Sequence, residues 1–420
     1  MPSETRLPAA LRAFRHRDFR LFFSGQLVSL VGTWMQSVAQ SWLVLELTNS
    51  PFRLGVVSAL QFAPMLVLSF FAGALADRLP KRRLVLTSQS VLFGQALALA
   101  LLVHFGHVQY WHVAILASVY GIANSVDMPT RQAFIVEMVG RADLMNAIAL
   151  NSAMFNAARI VGPALAGIAI ARWGTAVAFY INAASFVPVI VALLAMTAEG
   201  RSRGTSRRSM ADEIHEGVRF ALRTPRVTLT MAMVLAVSGF LFNYNVLIPL
   251  YVRDVLGQDA QGFGLIMATL GIGAVTGAVA LAVLGRGRPP VAALATPALL
   301  QAVSTAALAG VHRETLAVPL LLVMGFCGIL FMAGSNSTVQ LTVPDELRGR
   351  VMALHTLMFA GITPFGAFLM GSVAEAAGVK AALVVSGGGG LLSVLVLLLW
   401  WGTRDRGASL ARPGSVETSA

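Results

Sequence analysis

The residues best suited to chemistry in this sequence are a few charged side chains placed in or beside long apolar stretches. Arg159 lies near the middle of the apolar stretch 146–171, and Asp127 lies at the end of another. A polar, basic segment, residues 73–83 (GALADRLPKRR), separates two more such stretches and contains Asp77. Charged groups in apolar surroundings need a partner of opposite charge or a polar ligand. The pattern therefore indicates ion pairing and ligand binding.

Covalent catalysis is not indicated by the sequence. There is no HExxH or GxSxG motif, and the glycine run Gly387–Gly390 lacks the Lys-Ser/Thr of a phosphate-binding loop. His104, His107 and His112 have no carboxylate near them in the sequence, which disfavours a metal site. The single cysteine, Cys327, excludes an intrachain disulfide. We expect no catalytic residue, no metal and no cofactor.

The elements that must position the charged groups are long and apolar. Of the 420 residues, 56% are hydrophobic and 12% are charged, whereas a soluble protein has about 25% charged residues. The mean hydropathy is +0.74. A helix needs about 20 apolar residues to cross a bilayer. Stretches of this kind lie at 19–45, 53–76, 84–104, 109–128, 146–171, 175–197, 227–251, 262–284, 291–310, 316–340, 351–373 and 380–401. The sequence predicts an all-α membrane protein with twelve transmembrane helices.

The net charge of +12 follows the predicted topology and does not indicate a nucleic-acid partner. Of the 31 Lys and Arg residues, 25 fall at the two termini and in the even-numbered loops. Five fall in the odd-numbered loops, and the remaining one is Arg159. Because basic residues are retained on the cytoplasmic side, this distribution predicts that both termini are cytoplasmic.

The chain divides into two similar halves. We expect a cytoplasmic segment (1–18), a six-helix half (19–197), a cytoplasmic linker (198–226), a second six-helix half (227–401) and a disordered tail (402–420). The end of the linker, Asp212 to Arg223, has the periodicity of an amphipathic helix, with Ile214, Val218 and Leu222 on one face. When the two halves are aligned at an offset of 204 residues, the sequences of their fifth helices match. Three glycines then occupy equivalent positions: Gly162 and Gly366, Gly167 and Gly371, and Gly174 and Gly378.

Residues 73–83 resemble the loop between the second and third helices of the major facilitator superfamily, apart from Pro80 in place of the usual glycine. The N-terminal stretch FRHRDFRLFFSGQLVSLVGTWMQ and the motifs DMPTRQAFI, ARIVGPALAG and EGVRFALRTP are similar to the enterobactin-exporter-like and macrolide-efflux-like branch of drug exporters. The resemblance covers nearly the whole chain. It implies two six-helix bundles around a central cavity lined by the first, fourth, seventh and tenth helices.

The resemblance also implies a cytoplasmic gate made of charged residues. It would contain Gly73, Asp77, Arg78, Arg82 and Arg83, with Asp127 as the partner across the gate. The alternative is that the basic residues only set the topology. On the fifth helix, Gly162, Pro163 and Gly167 resemble a motif associated with export, and the alternative there is an ordinary packed kink.

Arg159 is expected to bind an anionic substrate or to pair with a carboxylate in one transporter state. The alternative is a static structural role between helices. Amides on the cavity-lining helices are further candidates for contact with the substrate or the coupling ion, and interhelical hydrogen bonding is the alternative for each of them. They are Gln36, Gln40, Asn124, Asn243, Asn245, Asn336 and Gln340.

The function expected from these features is secondary active export of small amphipathic compounds across the bacterial inner (plasma) membrane. We expect proton antiport as the energy source, with Asp127 as the first candidate for the proton site. Expected partners are a small-molecule substrate, protons and the lipid bilayer, with no nucleic acid, and the protein is expected to be a monomer. The alternatives are an exporter dedicated to one metabolite, such as a siderophore, and a membrane sensor or scaffold that does not transport.

Overall fold

The computed structural model describes residues 9–200, 210–284 and 289–410, and the regular elements in these residues are all helices. Two are short 3-10 helices, Ala9–Arg15 and Leu308–Gly310. The α-helices are α1 (Arg17–Thr48), α2 (Pro51–Arg78), α3 (Lys81–His104), α4 (Tyr110–Trp173), α5 (Thr175–Ala195), α6 (Met210–Arg223), α7 (Pro225–Phe240), α8 (Tyr244–Asp254), α9 (Ala260–Leu284), α10 (Val291–Ala307), α11 (Glu314–Thr342) and α12 (Asp345–Leu410).

Among the described residues, eight helices are long and apolar enough to cross a membrane. One of them, Glu346–Thr403, runs for 58 residues and contains two of the predicted spans. It is interrupted at Gly378, where φ is 83°. The long α4 also contains two predicted spans and is interrupted at Gly140, where φ is 68°. Glycine tolerates this left-handed backbone because it has no Cβ.

The seventh predicted span, 227–251, is not one continuous helix. It consists of α7 and α8, which are separated at Leu241–Asn243. The Asn243 side chain donates hydrogen bonds to the carbonyls of Gly239 (2.8 Å) and Phe240 (3.2 Å). These bonds compete with the helical ladder and end α7. The predicted span is present as Pro225–Asp254, and the break within it is a feature that apolar composition does not reveal.

The helix ends lie at two faces of the molecule. We call the face that carries the start of α1, the start of α3 and the helix α6 the basic face, and the other one the opposite face. At the opposite face, the N-terminal half (residues 9–200) contacts the C-terminal half (residues 210–410). There, the Glu375 carboxylate accepts hydrogen bonds from the Ser50 hydroxyl (2.8 Å) and the Phe52 amide (3.1 Å).

The buried apolar residues form a shared core near the opposite face and separate cores nearer the basic face. The shared core combines α1 residues such as Met35 and Leu45 with Leu247 and Tyr251 of α8. Nearer the basic face, one cluster comes from residues 13–196 and two come from residues between 221 and 394. Apolar burial therefore joins the two halves mainly at the opposite face.

Two glycine pairs make close backbone contacts between the halves. A Cβ on Gly264 of α9 would lie 2.6 Å from the Cα of Gly167 in α4. A Cβ on Gly371 of α12 would lie 2.9 Å from the Cα of Gly55 in α2. Gly167 and Gly371 are equivalent positions at the 204-residue offset. The repeat inferred from the sequence therefore corresponds to two similar helix contacts, in which small residues allow backbones to approach.

The linker helix α6 starts two residues before the predicted Asp212 and packs on α12. Its buried residues are Gly217 and Ala221, whereas Leu222 is 65% exposed. A Cβ on Gly217 would lie 3.3 Å from the Arg350 side chain, and Glu216 pairs with that arginine. The packed face is thus displaced from the predicted apolar stripe, because only small residues fit against α12. The side chain of Ile214 lies outside the described residues.

Candidate functional site

Arg159 lies between the two halves of the molecule. It is half-buried in the second part of α4, and its carbonyl oxygen would lie 3.1 Å from a Cβ on Gly271 of α9. Within the described part of the chain, its guanidinium has no hydrogen-bond or ion-pair partner. It does interact electrostatically with the Tyr244 phenol at the start of α8. A cation without a carboxylate, at the junction of the halves, is suited to binding an anionic group.

Tyr244 forms a polar pair with Gln301, which was not predicted from the sequence. Its hydroxyl accepts a hydrogen bond of 2.7 Å from Nε2 of Gln301 in α10. Gln301 has no solvent-exposed surface, and its Oε1 has no hydrogen-bond partner among the described residues. A signal was available in the sequence, since Gln301 is an amide within the apolar stretch 291–310.

Aromatic side chains lie on both sides of Arg159 and Tyr244. Phe242 packs edge-on against Tyr244 and against Phe359, each with a ring separation of 5.7 Å. Trp34 of α1 packs edge-on against Phe155, at 5.8 Å, and Phe155 lies one helical turn before Arg159. Trp34 and Phe242 thus belong to separate aromatic contacts, one in each half.

The amides of the first helix bond to neighbouring helices of the N-terminal half. Gln36 donates to Oε1 of Gln95 (3.0 Å) and accepts from Nδ2 of Asn182 (2.5 Å), so it links α1, α3 and α5. Gln40 donates to Oε1 of Gln61 in α2 at 3.3 Å. Both glutamines are at least 95% buried. These contacts support the interhelical alternative over a direct role in substrate binding.

The other candidate amides have different surroundings. In α11, Gln340 is exposed and donates to Oδ1 of Asn336 on the same helix (2.6 Å). Asn243 ends α7 and is buried. Asn124 and Asn245 are half-buried, and within the described part of the chain neither makes a side-chain hydrogen bond. Of these five, Asn124 and Asn245 therefore remain the better candidates for contact with a substrate.

Asp127 interacts with side chains of α3 and with an arginine of its own helix. It is 1% exposed and accepts hydrogen bonds from Ser88 (2.8 Å) and Gln89 (2.9 Å). Arg131, one turn further along, lies 3.4 Å from its second oxygen. The guanidinium of Arg82 instead donates to the carbonyls of Leu193 and Leu194. The structure therefore does not show the expected contact between Asp127 and that arginine.

The segment 73–83 has described contacts only at its end. The backbone of α2 passes through Gly73, Asp77 and Arg78, but their side-chain surroundings lie outside the described residues. Arg82 donates to the carbonyls of Leu193 (2.5 Å) and Leu194 (2.7 Å), the last turn of α5. Such a bond satisfies carbonyls that have no partner within the helix. Lys81, 4% exposed, pairs with Glu137 of α4 at 2.7 Å.

Arg82 and Arg83 are adjacent but should respond differently to mutation. We expect Arg82→Ala to lower the free energy of unfolding by about 1–3 kcal/mol, because two charge-assisted hydrogen bonds to α5 are lost. Arg83 is exposed, and Arg83→Ala should change stability by less than about 0.5 kcal/mol. Thermal unfolding of both variants in detergent checks this, and equal losses would contradict the cap assigned to Arg82.

The glycines of the fifth-helix motif allow close helix contacts. A Cβ on Gly162 would lie 2.5 Å from the Trp34 side chain and 2.8 Å from the Val31 carbonyl in α1. Gly167 contacts α9, and the carbonyl of Pro163 would lie 2.6 Å from a Cβ on Gly264. The motif therefore packs the fifth helix against helices of both halves. Its association with export remains a prediction.

The described residues contain no group of three or more His, Cys, Asp or Glu side chains that could hold a metal ion. The polar groups at the junction of the halves are a cation, a phenol and amides. These groups bind ligands and form hydrogen bonds. The fold and the site together define a polytopic membrane protein with a polar, aromatic-flanked region between its halves.

Comparisons with known proteins identify the family. Residues 8–406 match the family described as transmembrane secretion effector. The chain is 30% identical over 375 residues to the multidrug efflux pump Tap of Mycolicibacterium fortuitum, which covers 87% of this chain and 91% of that protein. It is 26% identical over 365 residues to the staphyloferrin A transporter of Staphylococcus aureus, with 86% and 90% covered. The fold matches a crystal structure of the nucleoside transporter NupG with a TM-score of 0.74 at 13% identity, over 93% of this chain and 99% of that chain.

The chain thus belongs to the transmembrane secretion effector family of the major facilitator superfamily. It is a multi-pass membrane transporter and not an enzyme. The family that the sequence motifs predicted is confirmed.

Proposed function

We propose that the protein exports small amphipathic compounds across the plasma membrane by alternating access of two six-helix bundles. The observation that carries this proposal is the distribution of buried apolar residues. The halves share one core near the opposite face but have separate cores nearer the basic face. A transporter that rocks two bundles about a central site needs such an uneven interface, since only one side is closed at a time.

The glycine contacts support two equivalent bundles. Gly162 packs on α1, and its counterpart Gly366 packs on α7 beside Gly239 and Asn243. The backbone also breaks in the same way after each fifth helix, with φ of 82° at Gly174 and 83° at Gly378. Matching contacts at matching positions are expected of parallel repeats related by an axis along the membrane normal.

The basic face is proposed to be cytoplasmic, with both termini on that side. The support is the excess of Lys and Arg in the loops of that face. The conformation described here would then be closed toward the outside, with Glu375 bridging to Ser50 and Phe52 across the closure. An exporter in this conformation is ready to take up substrate from the cytoplasm or the inner leaflet.

The proposed substrate class follows from the aromatic pairs and from the relatives. Aromatic rings on both sides of a polar cluster suit molecules that have an apolar body and one polar group. Relatives are named as a multidrug efflux pump and as a staphyloferrin A transporter. Broad export of amphipathic compounds is the first proposal. A dedicated siderophore exporter is the second, favoured by Arg159, which has no ion-pair partner among the described residues, since siderophores of the carboxylate type are anions.

Proton antiport is the proposed energy source, and Asp127 is the proposed proton site and gate residue. It is a buried carboxylate near the basic face, with polar donors from α3 and a cation one turn away. Gly73, Asp77 and Arg78 are proposed as the rest of the gate. Arg82 and Arg83 are proposed to support it from α3.

Accumulation of compounds in efflux-deficient cells tests the proposal. A panel of dyes, antibiotics and siderophores is measured in cells with the protein and in cells with the empty vector, with and without a protonophore. We expect lower accumulation of some compounds in cells with the protein, and the protonophore should reverse it. If the protein is in the membrane and all compounds accumulate equally in both cells, export is wrong and a sensor or scaffold role takes its place.

A further inference from the structure

We propose that Arg159, Tyr244 and Gln301 form one binding site for an organic acid that also has a nearby N–H or O–H donor. The acid group would lie between Arg159 and Tyr244, the donor would face Gln301, and the apolar body would pack toward Phe242 and Phe359. This inference rests on the proposed export of amphipathic compounds and names their chemical class.

Arg159 differs from the other buried charges of the described residues. Lys81 pairs with Glu137 and Asp127 pairs with Arg131, so these charges are compensated within the protein. Arg159 has no such partner among the described residues, although it lies near the middle of an apolar span. Because an uncompensated cation at this depth is costly, the arrangement favours a ligand that brings the negative charge.

The Tyr244–Gln301 pair has the complementary hydrogen-bonding groups. The Tyr244 oxygen already accepts from Nε2 of Gln301, so its proton is free to be donated to a ligand oxygen. An anionic oxygen would then have two sources of donors, Arg159 and Tyr244. The unpaired Oε1 of Gln301 is a buried acceptor, and a ligand N–H or O–H would satisfy it.

The helix break between α7 and α8 lies beside the Tyr244–Gln301 pair. Tyr244 is the first residue of α8, and no side chain caps that helix end. Irregular backbone at membrane depth is tolerated where it lines a cavity or is buried in protein. On the facing helix α11, residue 328 is glycine, and a Cβ there would lie 3.4 Å from the Tyr244 hydroxyl and 3.7 Å from Oε1 of Gln301. Residue 328 therefore places no side chain in front of these two polar atoms.

The site is divided between the two halves, which relates binding to transport. Arg159 belongs to the N-terminal half, and Tyr244 and Gln301 belong to the C-terminal half. If the halves rock apart at the opposite face, the distance between Arg159 and Tyr244 changes. The acid would then be held by both halves in one state and by one half in the other. Such a difference in affinity is what allows a carrier to release its cargo.

Binding of dansyl-phenylalanine and of its methyl ester to the purified protein tests the site. The two probes share an aromatic body and a sulfonamide N–H, and they differ in the carboxylate. In a fluorescence titration we expect the wild type to bind the acid about tenfold or more tightly than the ester, as charge-assisted hydrogen bonds allow. Arg159→Gln should lower acid binding to about the affinity of the ester, and measurable ester binding shows that the variant is folded.

Three further variants test the contribution of single side chains to the preference for the acid. Arg159→Lys should retain part of the preference, because the charge remains but the planar fork is lost. Tyr244→Phe should weaken acid binding about threefold to tenfold and weaken ester binding less. Arg172→Gln, an exposed arginine on the same helix, is the matched control and should bind like the wild type. Equal binding of acid and ester by the wild type, or an unchanged preference in both Arg159→Gln and Tyr244→Phe, would overturn the proposal.

The same two probes show whether the acid-binding site or the proposed export function is wrong. If cells with the wild-type protein export the ester but do not discriminate in favour of the acid, export stands and the acid site is wrong. If the purified protein prefers the acid but cells export neither probe and no compound of the panel, the site stands and the export function is wrong.

Discussion

Gly264→Leu is expected to reduce export at least tenfold and to leave the opposite face open. At this position even a Cβ would lie 2.6 Å from the Cα of Gly167 and 2.6 Å from the carbonyl of Pro163. Both are backbone atoms, so α4 and α9 must separate to accept the side chain. The shared core near the opposite face then loses its close contact, and the protein cannot complete the transport cycle.

Thiol labelling measures the opening directly. The chain has a single cysteine, Cys327, so Leu247→Cys can be studied after Cys327→Ala. Leu247 is 2% exposed in the shared core. In the Gly264→Leu background we expect this thiol to react much faster with a membrane-impermeant maleimide. Gly94→Leu is the matched control, because nothing lies within 4 Å of a Cβ there, and it should behave like the wild type.

The equivalent contact gives an independent check. Gly371 packs against Gly55 as Gly167 packs against Gly264, and Gly371→Leu should have the same two effects. Wild-type export by either leucine variant, with Leu247→Cys still protected, would show that the glycine contacts do not hold the opposite face closed.

Asp127→Ala is expected to lower the free energy of unfolding by about 2–4 kcal/mol and to reduce export at least tenfold. The loss of the carboxylate leaves the Gln89 amide without its acceptor and Arg131 without its counter-charge, and it leaves the Ser88 hydroxyl with only the Val85 carbonyl (3.0 Å). Buried donors that lose their acceptor, and a charge that loses its partner, account for an effect of this size. Thermal unfolding in detergent and export of the same panel of compounds measure the two effects.

Asp127→Asn separates the charge from the hydrogen bonds. The amide oxygen can still accept from Ser88, so we expect a smaller loss of stability than for alanine. If the charge is needed for coupling, export should fall as far as in Asp127→Ala. Asp254→Ala is the control, since this acid is partly exposed and pairs with the neighbouring Arg253; it should change stability by less than about 0.5 kcal/mol. A stable Asp127→Asn with full export would remove Asp127 from gating and coupling.

The helices could be predicted because they depend on runs of apolar residues that are local in the sequence. A run of about 20 apolar residues needs an internally hydrogen-bonded backbone in a bilayer. Predicted boundaries such as 84–104 and 262–284 therefore lie within three residues of α3 and α9. The glycine repeat was also visible, since backbone breaks at Gly174 and Gly378 require the same residue type. Family membership followed from short motifs that lie along nearly the whole chain.

The partners of the polar residues were not predictable in the same way. Gln36 and Gln40 share a face of α1 as expected, but the direction of that face depends on how α1 packs between α2, α3 and α5. Arg82 was expected to face Asp127, and it instead reaches the end of α5, more than one hundred residues away in the chain. Contacts between distant residues depend on packing that no local pattern encodes.

The sequence by itself determined that this protein is an all-helical membrane transporter of a known superfamily, with an excess of basic residues in alternate loops and an arginine in an apolar span. These properties depend on composition, length and charge, which act along the chain. Only the tertiary structure decided that Tyr244 pairs with Gln301, and that glycine pairs bring backbones of the two halves close together. Those features need helices that are distant in the sequence to meet, and their geometry is decided by side-chain volume and hydrogen bonding between them.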